Sequence, residues 1–459
     1  MFLDKGNILL NLNQSAGLPG VRTVSLYSRE GMGKSRLLKE FSAGNRTLYL
    51  KAAPVLYEEN FILLRDTCAR RLHADFLAAK TFSELLRMLA KQAQSQPLTV
   101  ILDDFQYLLS GNRRFPALFA SLEKKYGRSS QLLFILCKPM SQYEKEASKE
   151  QNALRLCPFT FFELRRLYPD LPLKEQLLLY SITGGIPGYL RQFPSSCSVT
   201  ERIRELFFTE AGIFYRFPTG YTREYYSSSA VIRTILLSIG DSQRKLQEIC
   251  DRTGLTPSAA GSLLTSLSLR GLVKRRIPVT EDSGSRRTLY EICDPVFRFW
   301  YRFVYPHLSE IESGLGEEIF KELVLPELEN YQKPFFEKIC REFLVLWNQA
   351  GQAPFPLSHP GMWWGQHPTK KRTESVSIAA VHEDQILLGT CFWTDQWIDI
   401  DALYRLQKHA SLFPHSRKWY VLFAKSDFVS GFEAISGDHV RVFSLEKMCC
   451  LAEEYSSQS

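Results

Sequence analysis

The first third of the chain combines two patterns of hydrophobic positions: short continuous runs and positions spaced along one helical face. Residues 23–27 and 131–138, together with the start of segment 98–109, are short aliphatic and β-branched runs, which are typical of buried parallel strands. Residues 34–41 instead place their apolar side chains at the spacing of one helical face. Apolar strands that alternate with amphipathic helices predict a doubly wound α/β domain, which we place at residues 1–160.

Toward the middle of the chain the pattern changes to short helices. One predicted helix ends at Gly254, and the next begins after the N-cap Thr256 and stops at Gly271; two strands then follow around a polar loop. This order predicts a winged helix-turn-helix at residues 221–292. The aromatic-rich stretch at residues 293–328 favours packed connecting helices over a surface that stacks on bases.

The composition describes a globular protein of several domains. A chain of 459 residues with 45% hydrophobic and 23% charged residues has room for roughly three domains. No apolar run approaches the ~18 residues of a membrane helix, and the first residues lack the pattern of a secretory signal, so no membrane association is predicted. Ten cysteines without C-x-x-C spacing predict reduced, buried thiols and a cytoplasmic location. The net charge of +8 permits contact with nucleic acid without establishing it.

The stretch "SREGMGKS" nearly matches the phosphate-binding pattern G-x-x-x-x-G-K-[ST]. Lys34 fits as the residue that reaches the β- and γ-phosphates, and the Ser35 hydroxyl fits as a ligand of Mg²⁺. Ser28 replaces the first glycine, and because serine is small we expect a modest loss of affinity rather than abolition. The predicted nucleotide contacts in this loop are Ser28, Gly31, Gly33, Lys34, Ser35 and Arg36.

Two carboxylates follow the second apolar strand, in the sequence "LTVILDDFQYLL". Asp103 is predicted to hold Mg²⁺ through water, together with Ser35. Asp104 stands where a general base would polarise the attacking water of ATP hydrolysis. At the end of the third strand, where a small polar residue is expected to sense the γ-phosphate, the chain has Cys137 and Lys138. We expect Lys138 to be a solvated loop residue.

Three further motifs carry a family resemblance. "DDFQYL", "GGIPGYL" and "DPVFRFWYRFVYP" resemble elements of the archaeal-type predicted ATPases in the STAND branch of P-loop proteins. The resemblance implies a P-loop NTPase core that binds ATP and Mg²⁺, and a helical lid at residues 161–220 with Pro187 near the nucleotide. It also implies that the winged helix is followed by a restriction-endonuclease-like α/β domain of the PD-(D/E)xK type at residues 329–459.

The same resemblance indicates that the nuclease-like domain is degenerate. Glu337 is retained on its first helix, but Ser377 stands where the family has Asp, Thr390 where it has Glu, and Phe392 where it has Lys. A Mg²⁺ site depends on carboxylate oxygens, so the loss of both strand acids predicts a catalytically inactive domain.

Two hypotheses for the whole protein stay open at this point. The first is an ATP-binding regulatory switch of the STAND type that hydrolyses ATP slowly or only binds it. The second is a nucleotide-independent scaffold with a vestigial P-loop, which binds DNA or a protein. The predicted wing carries a basic cluster suited to non-specific phosphate contact or to simple solvation: Lys274, Arg275, Arg276, Arg286 and Arg287. The predicted recognition helix lacks side chains for bidentate base contacts, so sequence-specific DNA binding is not expected.

Overall fold

The computed structural model describes residues 6–112, 115–127, 129–150, 152–194, 197–226, 229–282, 284–367 and 372–457. Contacts divide the chain into two units. The first unit contains Met1–Pro158 together with two short segments from later in the chain, Ile186–Arg191 and Leu269–Gly271. The second unit contains the remainder.

The first unit is built on a parallel five-stranded sheet. Its strands are β1 (Gly20–Ser28), β2 (Thr47–Lys51), β3 (Leu98–Asp103), β4 (Gln131–Pro139) and β5 (Ala153–Arg155). They lie in the order β2-β3-β4-β1-β5, and every neighbouring pair is parallel. The strand that leads into the glycine-rich loop is therefore separated from the strand that ends in Asp103 by one strand, β4.

Helices cover both faces of this sheet, which explains why its strands read as continuous apolar runs. On β4, Phe134 and Leu136 join a core with the helices after β2 and β3, while Leu133 and Ile135, at alternate positions, are also buried. The helices of the unit are Gly6–Gly17, Lys34–Gly44, Tyr57–Arg71, Phe82–Ser95, Gln106–Gly111, Phe115–Tyr126, Tyr143–Glu146 and Pro187–Leu190, with 3₁₀ turns at Ala74–Ala78, Met140–Gln142 and Ala147–Lys149.

The second unit begins with a helical region. Its helices are Phe161–Leu167, Leu173–Thr183, Val199–Phe207, Ile213–Tyr225, Ser229–Ser238, Leu246–Thr253 and Pro257–Leu269. The last begins after Thr256, whose hydroxyl accepts a hydrogen bond from the Ala259 N–H at 3.4 Å, as expected of an N-cap. An antiparallel pair of strands follows, β6 (Val273–Arg276) and β7 (Leu289–Ile292).

The aromatic-rich stretch forms packed helices. Buried Asp294 caps the first of them by accepting a hydrogen bond from the Phe297 N–H at 3.0 Å. Trp300 is fully buried and donates its indole N–H to the Tyr215 carbonyl at 2.9 Å, so this ring is part of the core. The segment contains α-helices Pro295–Phe299, Leu308–Glu312 and Gly316–Ile319, π-helices Trp300–Val304 and Phe320–Val324, and 3₁₀ turns Tyr305–His307 and Leu325–Glu327.

The C-terminal part of the second unit contains a mixed five-stranded sheet. Its strands are β8 (Gly361–Gln366), β9 (Thr373–His382), β10 (Gln385–Phe392), β11 (Arg417–Ala424) and β12 (Val440–Ser444), in the order β12-β11-β10-β9-β8. The pairs β8–β9 and β9–β10 are antiparallel, whereas the pairs β10–β11 and β11–β12 are parallel. The accompanying helices are Leu328–Gln349, Asp401–His409, Phe432–Ser436 and Leu445–Ser457, with a 3₁₀ turn at Ala410–Leu412. Phe343 of the long first helix packs its ring against Phe443 at 4.8 Å between centroids.

All ten cysteines are free thiols. The expectation that they are buried is only half right: five are buried, but Cys157, Cys197, Cys293 and Cys450 are exposed and Cys391 is intermediate. Apolar neighbours in sequence were a poor guide, because Cys157 follows the end of a strand rather than lying inside one. Within the described part of the chain, no helix is both long enough and apolar enough to cross a membrane.

Candidate functional site

The phosphate-loop motif lies between the end of β1 and a helix that begins at Lys34. Gly31 and Gly33 have φ angles of +81° and +83°, a left-handed conformation that glycine adopts without a steric penalty. Ser28 does not share this conformation, since the described non-glycine residues with positive φ are Asp104 and Glu383. The backbone at the position of the missing first glycine therefore suits a serine.

A second chain segment lies directly on this loop. The Gly188 N–H donates to the Gly31 carbonyl at 2.8 Å, and a Cβ at position 188 would lie 3.0 Å from the Gly31 Cα. Pro187 is beside Gly33, with its ring 3.9 Å from the point that a Cβ on Gly33 would occupy. The structure thus brings the predicted Pro187 next to the predicted loop. Sequence reasoning missed Gly188, although a glycine directly after that proline was a visible signal.

The turn before β6 also contacts the phosphate loop. The Arg29 guanidinium donates to the Gly271 carbonyl at 3.0 Å, and Gly271 has a φ of +70°. Arg29 occupies a variable position of the loop pattern, so the motif gave no reason to single it out.

Asp103 is held by three donors. Its carboxylate accepts hydrogen bonds from the Lys34 ammonium, from the Tyr49 hydroxyl and from the Asp104 N–H at 3.0 Å. Its side chain is only 6% exposed, and that of Lys34 is 23% exposed. Burial alone would raise the pKa of Asp103, but the hydrogen bonds from Lys34 and Tyr49 outweigh it and hold the pKa below its ordinary value. Burial alone would lower the pKa of Lys34, but Asp103 reverses the direction, so both groups are charged at neutral pH.

Asp104 lies beside this pair in a strained backbone conformation, with a φ of +53°. Its carboxylate accepts a hydrogen bond from the Gln106 amide at 3.4 Å and lies 3.6 Å from the Lys51 ammonium. The structure brings the two predicted acids together, but Asp104 is already engaged by a cation.

The predicted metal ligands fit a hard divalent cation chemically. Ser35 supplies a hydroxyl on the first helical turn, directly after Lys34, and Asp103 supplies carboxylate oxygens beside the same lysine. Oxygen donors of this kind are those that Mg²⁺ prefers. Arg36 follows on the same turn and is exposed.

The expectation that Lys138 is a solvated loop residue is wrong. Lys138 is the penultimate residue of β4 and is 7% exposed. Its ammonium is neutralised by Glu150 at 2.6 Å and Glu146 at 3.0 Å, so it is part of a buried ion-pair cluster. Cys137 is fully buried and touches Asp103; burial raises the pKa of its thiol, which is therefore neutral at physiological pH.

The positions singled out by the predicted nuclease resemblance lie on the helix Leu328–Gln349 and on two strands of the C-terminal sheet. Glu337 lies 4.0 Å from Arg341 on the helix Leu328–Gln349, and burial raises its pKa. Ser377 is on β9, and Thr390 and Phe392 are on β10. Phe392, at the position of the expected lysine, packs against the hydrophobic core of this sheet.

The basic cluster of the predicted wing is partly engaged by its own neighbours. Arg276 forms an ion pair with Glu291 at 2.5 Å, and Arg287 pairs with Glu281. Arg287 also donates to the Trp364 carbonyl at 3.2 Å. The other members of the cluster are Lys274, Arg275 and Arg286, all exposed.

The strand order, the left-handed glycines before a helix, and the pairing of Lys34 with Asp103 at the end of β3 define the first unit as a P-loop NTPase fold. Residues 300–406 match the family model DUF234, described as "Archaea bacterial proteins of unknown function". This match confirms the predicted resemblance to an archaeal-type family.

Similar proteins extend over more of the chain. An uncharacterized protein of Methanocaldococcus jannaschii, MJECL04, is 23% identical over 420 residues, which is 88% of this chain and 90% of the relative. The Walker-type ATPase PABY2304 of Pyrococcus abyssi is similar in structure with a TM-score of 0.48 and 18% identity, covering 66% of this chain and 96% of its own. The ORC2 protein of Aeropyrum pernix, solved in ADPNP–ADP complexes, follows with a TM-score of 0.40 and 16% identity, covering 70% and 94%.

Proposed function

We propose that this protein is an ATP-binding regulatory switch of the STAND type, with Mg²⁺ as the accompanying ion. The observation that carries the proposal is the position of the Lys34–Asp103 ion pair at the start of the helix that follows two left-handed glycines. A helix start with converging backbone N–H groups favours phosphate, and the lysine adds a positive charge to the same place.

In the structure, Lys34 is paired with Asp103. To contact the β- and γ-phosphates, Lys34 would exchange this partner for phosphate oxygens. Ser35 and Asp103 would then hold the magnesium ion, which would neutralise part of the triphosphate charge. Lys34 is thus proposed to have a different partner in the free and in the bound state, which is what a switch requires.

The regulatory part of the proposal rests on the two segments that lie on the loop. Gly188 hydrogen-bonds Gly31, and Arg29 hydrogen-bonds Gly271. The first segment connects the helix Leu173–Thr183 to later helices, and the second connects the helix Pro257–Leu269 to β6. A loop that rearranges around phosphate would shift both contacts and so transmit the nucleotide state along the chain.

Slow hydrolysis through Asp104 as general base is part of the same proposal. Its adjacency to Asp103 favours this role, while the neighbouring Lys51 opposes it by engaging the carboxylate.

We further propose that residues 329–459 are an inactive nuclease-like domain. Residues 221–292 are proposed to form a winged helix, which contacts either nucleic acid, without sequence specificity, or a protein. The protein is proposed to act in the cytoplasm. The packing of Phe392 into the core supports the loss of nuclease chemistry.

The rival hypothesis is a scaffold that binds no nucleotide, supported by the replaced first glycine and by the missing polar sensor at Cys137 and Lys138. The first ground is weak, because Ser28 occupies a backbone conformation open to any residue. The choice is decided by the melting temperature of the protein with and without millimolar ATP and Mg²⁺. Micromolar affinity would stabilise the wild type by about 4 kcal/mol at ~1,000-fold excess.

The matched variants for this experiment are Lys34→Ala and Lys39→Ala. Lys39 is an exposed lysine on the same helix. The ATP-dependent shift should be lost in Lys34→Ala and kept in Lys39→Ala. A wild-type protein that shows no shift with ATP would overturn the switch in favour of the scaffold.

A further inference from the structure

The edge strand β2 supplies a partner to each of the two acids at the candidate site. The Tyr49 hydroxyl donates to Oδ2 of Asp103, and the Lys51 ammonium lies 3.6 Å from Oδ2 of Asp104. Strand pairing brings both side chains close to the two acids, because Lys51 is the register partner of Asp103 and Tyr49 lies two residues earlier on the same strand. The phosphate-loop motif contains no signal for either residue.

The two oxygens of Asp103 have different partners. Oδ1 accepts from Lys34 and from the Asp104 N–H, whereas Oδ2 accepts from Tyr49. If Lys34 leaves to contact phosphate, Oδ1 loses its charged partner and keeps the Asp104 N–H. The Tyr49 hydroxyl then remains as a side-chain donor that fixes the orientation of the carboxylate, next to the buried Cys137 thiol.

Core packing does not account for Tyr49. The residue is 46% exposed, far more than the buried aromatic residues of the same unit. A half-exposed tyrosine whose hydroxyl contacts a buried carboxylate indicates a role for the hydroxyl itself.

We propose that Tyr49 is a positioning residue for magnesium: its hydroxyl holds Asp103 in the orientation that receives the ion once Lys34 has moved to the nucleotide. This inference rests on the proposed ATP binding. It predicts that loss of the hydroxyl weakens the response to Mg²⁺ while the metal-independent part of nucleotide binding is preserved.

The test compares wild type, Tyr49→Phe and Tyr57→Phe, each as the full chain. Tyr57 is the matched control because its hydroxyl accepts a hydrogen bond from Asn112 at 3.3 Å rather than donating to Asp103. The melting temperature is measured without ligand, with ATP and EDTA, and with ATP under a Mg²⁺ titration. Manganese binding, followed by electron paramagnetic resonance in the presence of ATP, gives a direct readout of metal affinity.

In Tyr49→Phe we expect the midpoint of the Mg²⁺ titration and the manganese dissociation constant to rise about tenfold, as for loss of one hydrogen bond to a charged group. The unliganded melting temperature of Tyr49→Phe should fall, because the variant loses a hydrogen bond to a buried carboxylate. The further shift that ATP produces in EDTA should match that of the wild type, and Tyr57→Phe should keep the wild-type metal midpoints. Unchanged metal midpoints in Tyr49→Phe, or an equal rise in Tyr57→Phe, would overturn the positioning role alone. A wild type without any ATP response would overturn the proposed function, and the inference with it.

Discussion

The two five-stranded sheets of this molecule differ in what their strands carry. In the first unit, β3 ends in Asp103, whose carboxylate is bound to Lys34 and Tyr49. In the C-terminal sheet, β10 carries Thr390 and Phe392 where the resemblance predicts an acid and a lysine in nucleases, and Phe392 packs against the core. Both sheets form with buried apolar strands. A sheet needs only its hydrophobic positions, so it forms independently of what its strand ends carry.

The largest effect is expected from Asp103→Ala. The substitution leaves the Lys34 ammonium, which is 23% exposed, without its carboxylate, and should lower the free energy of unfolding by about 2 kcal/mol at pH 7. Urea unfolding followed by circular dichroism measures this loss. Asp75→Ala is the control, since Asp75 is 79% exposed in the same unit, and its cost should be within about 0.5 kcal/mol.

The loss of stability in Asp103→Ala should also depend on pH. The pKa of Asp103 is lower in the folded than in the unfolded state, so its stabilisation is present above the ordinary carboxyl pKa of ~3.9 and is lost as the pH falls through the lower folded value. The pKa of Lys34 is raised, so its share is complete below ~10.4 and is lost as the pH rises through the folded value. The difference between wild type and Asp103→Ala should therefore be largest between these limits. A difference that is constant down to acidic pH would contradict the ion pair.

A smaller effect is expected from Gly188→Ala. A Cβ at this position would lie 3.0 Å from the Gly31 Cα, and a backbone neighbour yields less easily than a side chain. We therefore expect the substitution to lower the free energy of unfolding by about 1.5 kcal/mol and to displace the loop. ATP titration monitored by melting temperature should show weaker binding. Gly261→Ala is the control, because a Cβ there meets nothing within 4 Å. Equal ATP affinity in both variants would show that the segment does not constrain the loop.

Arg29→Ala should have a smaller effect again, about 1 kcal/mol for one hydrogen bond. It removes the contact of the guanidinium with the Gly271 carbonyl. Hydrogen exchange should become faster in Leu269–Gly271, and the change that ATP induces in this segment should disappear. Arg87→Ala, at an exposed arginine of the same unit, should leave both unchanged. An ATP-induced change that survives in Arg29→Ala would mean that the switch uses another route.

The elements were predictable from the sequence where local patterns suffice. The apolar run 131–138 predicted β4 within one residue, and Thr256 caps its helix as expected. The residues that were missed make contacts between segments distant in the chain: Gly188 with Gly31, and Tyr49 with Asp103. Lys138 was misjudged for a different reason: the short turns and helix that follow β4 bring Glu146 and Glu150, eight and twelve residues later, back to its ammonium.

The smallest effect is expected in a DNA-cleavage assay, which tests the difference between the two sheets. Purified protein should show no Mg²⁺-dependent cleavage of plasmid or single-stranded DNA above background, because Ser377 and Thr390 offer hydroxyls where a metal site needs carboxylates. Glu337→Gln is the control: it should leave the background unchanged, since one half-buried glutamate beside Arg341 cannot assemble a metal site alone. Cleavage that requires Mg²⁺ and is lost in Glu337→Gln would show that the C-terminal sheet has kept its chemistry through other ligands, and the contrast between the two sheets would no longer hold.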